Sequence, residues 1–297
     1  MTKNISLQGV WDFRLDAGCT GIHDAFYTTP LGDTITLPGT TSMAQKGTFS
    51  DKRETGTLTD PYLFEGYAWY SKEVHLEEAD LSKNIFLYLE RTRVTKVWVD
   101  DIPIGSYDSL NTPHIYDLTG AVTKPDFRLT ILVANLQKPE EGVTDPLAYP
   151  TKGGHLTSPD TQTNWNGIIG DLKLEARPQF HIRRIQVYPH ADQKTVDVKI
   201  KLSNPFEQMI VAAVQIEMEA FNTGLEHHIQ FNKNIVVQQD EIIFQIPMGD
   251  DALEWSEFSP TLYRLTANIQ GENIQDSQST TFGLRDFKAE GTQFNIN

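Results

Sequence analysis

One cysteine, Cys19, stands in 297 residues. It rules out an intrachain disulfide and any cysteine-based metal cluster. A lone thiol acting as nucleophile needs a histidine partner and an activating setting, and the sequence around Cys19 offers neither, so it reads as a plain buried thiol. Long apolar runs are equally scarce. The longest, Met209 to Val214, has six residues, against about 20 for a membrane-spanning helix. The opening Met1-Thr2-Lys3-Asn4-Ile5-Ser6 carries no stretch resembling a signal peptide. Positive charge is in the minority: 25 Lys and Arg against 40 Asp and Glu leave a net charge of −15. With a pI near 4.9 and no dense Lys/Arg cluster, neither nucleic acid nor a membrane is an expected partner. The expectation is a soluble chain, cytoplasmic, or exported if a leader has been removed.

Catalytic patterns are missing too. The sequence holds no G-x-S-x-G elbow, no H-E-x-x-H, no P-loop and no dinucleotide-binding glycine fingerprint. His227-His228 is the only histidine pair, and neighbours on a strand point to opposite faces, so the pair reads as a solvated strand end rather than a metal site. Asp100-Asp101 and Asp250-Asp251 could offer oxygens to calcium, but acids in turns are usually only turn formers. No cofactor is expected, and a structural metal ion is left open.

Helical periodicity is nearly absent, with Leu76 to Leu81 as a single turn at most. What is present is a period of two, the mark of half-buried strands. Tyr70, Lys72, Val74 and Leu76 share one face; Phe127, Leu129, Ile131 and Val133 alternate with Arg128, Thr130, Leu132 and Ala134. Val196, Val198, Ile200 and Leu202, then Val214, Ile216, Met218 and Ala220, then Leu265, Ala267 and Ile269 repeat the pattern. Ile85 to Leu89 is apolar on both faces, as in a sandwich core. Asp100-Asp101 predicts a hairpin turn, and Asn204-Pro205 and Asn222-Thr223-Gly224 punctuate the second half. The chain is all-β. A strand pattern ends at Ala176-Arg177-Pro178 and a fresh one starts at Phe180, which predicts a boundary there. The second half has the rhythm of an immunoglobulin-like sandwich without its cysteine pair. The polar connection Gln137 to Asn166 is long enough to suggest a functional loop.

The order of the motifs narrows the reading. Leu7-Gln8-Gly9-Val10-Trp11-Asp12-Phe13 is followed by Leu37-Pro38-Gly39-Thr40, Tyr67-Ala68-Trp69-Tyr70, Val97-Trp98-Val99-Asp100 and Asp117-Leu118-Thr119. Asn166-Gly167-Ile168-Ile169-Gly170-Asp171-Leu172, then Trp255 to Leu265 and Phe282-Gly283-Leu284-Arg285 complete the series. Each motif is weak alone. The collinear set resembles the amino-terminal region of a glycoside hydrolase family 2 enzyme, the β-galactosidase/β-glucuronidase group. The resemblance implies a jelly-roll sugar-binding domain over 1–178, an immunoglobulin-like β-sandwich over 179–284, and a lead-in to a (β/α)₈ catalytic barrel over 285–297. It also implies a non-catalytic piece: the family's acid/base glutamate follows an asparagine, and the sequence has no Asn-Glu dipeptide. On this reading the chain is a cut-down or naturally barrel-less form.

The resemblance further implies a sugar-site wall at Asp160, Thr161, Asn164 and Trp165. Thr161 stands where family members commonly carry aspartate, six positions before Gly167, and Asp160 precedes it. Gly170 stands where many carry arginine. These departures leave the monosaccharide open, with a β-galactoside first. The partner implied is a carbohydrate, a β-glycoside met through the intact parent, with a homo-oligomer of the parent left open. Two other readings compete. One is a self-sufficient carbohydrate-binding module, which would show exposed aromatics on a sheet face. The other is a purely structural role. Trp11, Trp69, Trp98 and Trp255 read as core, which leaves only Trp165 in a loop.

Overall fold

The computed structural model describes residues 2–53, 55, 58, 60–136, 147, 163–203, 209–237, 240–272 and 274–297. The chain divides into two units, Lys3–Ala176 and Arg177–Asn297, the latter joined by Thr2. Both are built from antiparallel strands; among the described residues the only helical elements are two short 3₁₀ turns, Phe26–Thr28 and Glu78–Ser82.

In the first unit a four-stranded sheet runs in the order Lys3–Ser6, Leu172–Arg177, Asn84–Leu89, His114–Asp117. A six-stranded sheet runs Ile102–Tyr107, Val94–Val99, Asp126–Ala134, Tyr67–His75, Gly9–Asp16, Asp33–Leu37. The period-two residues explain how the sheets meet: Trp11, Phe13, Tyr70, Leu87, Leu129 and Ile131 fall in one buried cluster. Each such large side chain contributes about 1.5–3 kcal/mol on burial. The central strands of the larger sheet are apolar on their second face as well. There Trp69, Trp98 and Leu132 enter a separate cluster with Phe26 and Leu31, and Trp69 lies 5.3 Å from Trp98 between ring centroids.

The second unit pairs a three-stranded sheet, His181–His190, Thr195–Ser203 and Glu241–Pro247, with a four-stranded one, His228–Val237, Ile210–Ala220, Tyr263–Gly271 and Ile274–Phe282. Seven strands split three and four make an immunoglobulin-like sandwich. Val196, Val198 and Ile200 from one sheet cluster with Ile216, Met218, Leu265 and Ile269 from the other. Phe287–Glu290 and Gln293–Ile296 form a final exposed hairpin, with Phe287 and Phe294 stacked at 5.2 Å.

Several expectations need correction. Ile85, Leu87 and Leu89 are buried, but Phe86 and Tyr88 are only half-buried, so that strand has one core face and not two. Trp255 is half-exposed beneath the Arg285 guanidinium, 4.6 Å from its ring. Cys19 is half-exposed, in a turn with φ of 54°. His227 is no solvated strand end: its neighbour His228 is exposed, but it is itself buried edge-on against Tyr263. Asn204-Pro205 lies outside the described residues.

Candidate functional site

At one end of the first sandwich Ala134 pairs with both Tyr67 and Val94. The residues just beyond these strand ends, Gly66, Arg93 and Asn135, are therefore neighbours. Residues 163–168 run past them. The last two form a short strand, Gly167–Ile168, paired with Gly39–Thr40. Gly167 has φ of 144°, and a Cβ there would overlap the Gly39 carbonyl. The Asn-Gly-Ile and Pro-Gly-Thr motifs thus meet face to face, and glycine is required by both backbone angle and space.

Buried asparagines fasten this loop. Asn166 accepts from the Tyr70 hydroxyl at 3.0 Å and donates to the Val133 carbonyl at 2.9 Å. Burial raises the Tyr70 pKa, so its phenol stays a neutral donor. Asn135, wholly buried, accepts from Gly66 N–H at 3.0 Å and donates to the carbonyls of Phe64 at 2.7 Å and Asn164 at 2.8 Å. Asn164 returns the bond, its Nδ2 donating to the Asn135 carbonyl at 3.0 Å.

Arg93, only 2% exposed, is the cation in the cluster. Its Nε donates to the Trp165 carbonyl at 3.2 Å and its guanidinium to the Thr163 carbonyl at 3.0 Å. The same guanidinium lies 4.7 Å from the Trp165 ring centroid, a cation–π contact. Trp165 is half-buried, which leaves part of its indole to solvent. An indole fixed on one side by a buried cation suits a sugar, since its free surface can cover an apolar C–H face.

Of the sequence-predicted residues, the structure brings Asn164 and Trp165 together on this clamp, and Asp160 and Thr161 lie outside the described residues. The amide nitrogen of Asn164 is engaged with backbone, so its part is to hold the loop. Sequence reasoning missed Arg93 and Asn135. The available signal was a polar residue placed immediately beside a long apolar strand pattern, at Val94 and at Ala134.

Residues 180–285 match the model of glycosyl hydrolases family 2. The β-glucuronidase of Paenibacillus borealis is 22% identical over 310 residues, covering all of this chain and 48% of that protein. The β-galactosidase of Alteromonas mediterranea is 20% identical over 210 residues, covering 68% of this chain and 18% of that one. Among solved structures, the β-glucuronidase of Ruminococcus gnavus in complex with D-glucaro 1,5-lactone superposes with a TM-score of 0.68 at 20% identity, over 100% of this chain and 48% of that one. At this identity the likeness is one of fold. The chain spans about half the length of the β-glucuronidases it matches, and it resembles the amino-terminal region of a family 2 enzyme.

Proposed function

We propose that this chain is the sugar-facing, non-catalytic region of a family 2 β-glycosidase, which supports hydrolysis carried out by a separate barrel and itself needs no cofactor. The observation that carries the reading is the Trp165–Arg93 clamp: a half-buried indole packed on a buried guanidinium that also bonds two carbonyls of the same loop. Rigid presentation of an aromatic surface lowers the ordering cost of binding. A β-galactoside is the first substrate class, supported by the β-galactosidase relatives. A β-glucuronide is the second reading, supported by β-glucuronidase relatives whose match extends over 98% or more of this chain.

The test is Trp165→Ala in the barrel-bearing parent, with folding verified by circular dichroism. The expected result is a fall in kcat/KM on the preferred β-glycoside equivalent to roughly 1–3 kcal/mol. The β-galactoside to β-glucuronide ratio in the unmodified parent decides between the two sugars. Unchanged kcat/KM would make the clamp purely structural.

A further inference from the structure

The first unit also carries a cleft, with walls formed by Glu90 and Arg91 on one side and by Leu110, Asn111, Thr112 and Pro113 on the other. We propose that this cleft is an ancillary carbohydrate site that takes one neutral pyranose ring, a reading that does not depend on the role proposed for Trp165.

Its volume, about 220 Å³, has room for a single sugar ring and not for an extended polymer. Both walls are preformed. On the first, Glu90 Oε2 accepts from Asp171 N–H at 3.1 Å, which orients the carboxylate. The backbone at Arg91 has φ of 50°, unusual for a non-glycine residue. It is held there because the Arg91 and Glu90 carbonyls accept from Ile169 and Gly170 N–H at 3.0 and 3.1 Å. On the second wall, Thr112 N–H and hydroxyl both bond the Ser109 hydroxyl, at 3.3 and 2.9 Å. His114, wholly buried, fixes the base of that loop from below. Burial keeps its imidazole neutral, so Nε2–H donates to the Ser109 carbonyl at 2.6 Å and Nδ1 accepts from Thr95 at 2.6 Å. Preformed walls avoid the ordering cost of closing on a ligand.

The lining chemistry selects a polyol. A carboxylate accepts from vicinal hydroxyls, a guanidinium and an amide donate to ring and hydroxyl oxygens, and Leu110 and Pro113 offer apolar surface to the C–H face. Arg91 and Glu90 cancel in charge, and burial together with the Glu90 and Asp171 carboxylates raises the pKa of the neighbouring Tyr88, so the acidic side of the cleft carries the excess charge. A uronate or a phosphate would be repelled, whereas a neutral hexose would not. None of the described lining residues is aromatic, which puts the affinity near the millimolar range.

The experiment uses the full chain, isotopically labelled, titrated separately with D-galactose, D-glucose, D-mannose and D-glucuronate while backbone amide shifts are followed. At least one neutral hexose is expected to shift Arg91 and Asn111–Thr112 saturably, with D-glucuronate clearly weaker. Asn111→Ala, an exposed loop change that leaves folding intact, is expected to weaken that binding about fivefold or more, and Glu90→Gln likewise. Trp165→Ala is expected to leave it unchanged, which separates this site from the Trp165 loop. The inference is overturned if no hexose gives saturable shifts at these residues. It is equally overturned if D-glucuronate binds as well as the hexoses, or if Trp165→Ala removes the binding while Asn111→Ala does not.

Discussion

Gly167 and Asn166 are neighbours that fail for different reasons when replaced. At Gly167 an alanine meets both a left-handed backbone angle of 144° and the Gly39 carbonyl, so the short pairing with Gly39–Thr40 must open. Gly167→Ala is expected to lower unfolding stability of the first unit by about 2–4 kcal/mol, read from urea denaturation. At Asn166 the loss is of partners. Asn166→Ala leaves the Tyr70 hydroxyl buried without its acceptor and removes one bond from the Val133 carbonyl, an expected cost of about 1–3 kcal/mol in the same measurement. An Asn166→Ala protein as stable as the parent chain would mean that water replaces both bonds. At this scale the sequence was partly legible: the Asn-Gly-Ile and Pro-Gly-Thr motifs stood out. Their meeting did not, because a contact between residues 39 and 167 leaves no mark in either local pattern.

Two loops of the first unit depend on single side chains. Residues 163–165 are held by the planar fork of Arg93, which bonds two carbonyls and carries the Trp165 ring. Lysine keeps the charge but not the fork. Arg93→Lys is expected to raise amide exchange at residues 163–166 by about tenfold while the sheet amides stay protected; unaltered exchange would show that charge alone suffices. The loop Ser109–Pro113 depends on neutral His114. Burial lowers its pKa from the ordinary 6.5, so the unfolded chain binds a proton at higher pH than the folded one. The stability linked to this group is therefore complete above about pH 6.5 and is lost as pH falls towards the folded pKa. The expected outcome is a Tm that drops between pH 7 and pH 5 in the wild type and drops less in His114→Gln. Equal slopes would remove His114 from the acid response. Strand alternation made the elements readable, since half-buried strands must alternate. It could not separate Phe86 and Tyr88 from true core, because an all-apolar run carries no sign of which face meets water. The Arg93 clamp was likewise hidden, because its partners are carbonyls that every residue possesses.

Across the whole molecule there are two all-β units with separate cores, and residues 180–285 match the family 2 model; the proposed role is to present a sugar surface without cleaving bonds. Glycoside hydrolysis by the usual route needs two carboxylates flanking the scissile bond, about 5–9.5 Å apart. Among the described residues the Trp165 loop end offers a buried guanidinium and an indole. The most direct test is incubation of the purified chain with chromogenic β-galactoside, β-glucuronide and β-mannoside at high protein concentration. The account predicts no turnover above the uncatalysed rate for any of the three. Turnover that copurifies with the chain and disappears on substitution of one of its own carboxylates would contradict it.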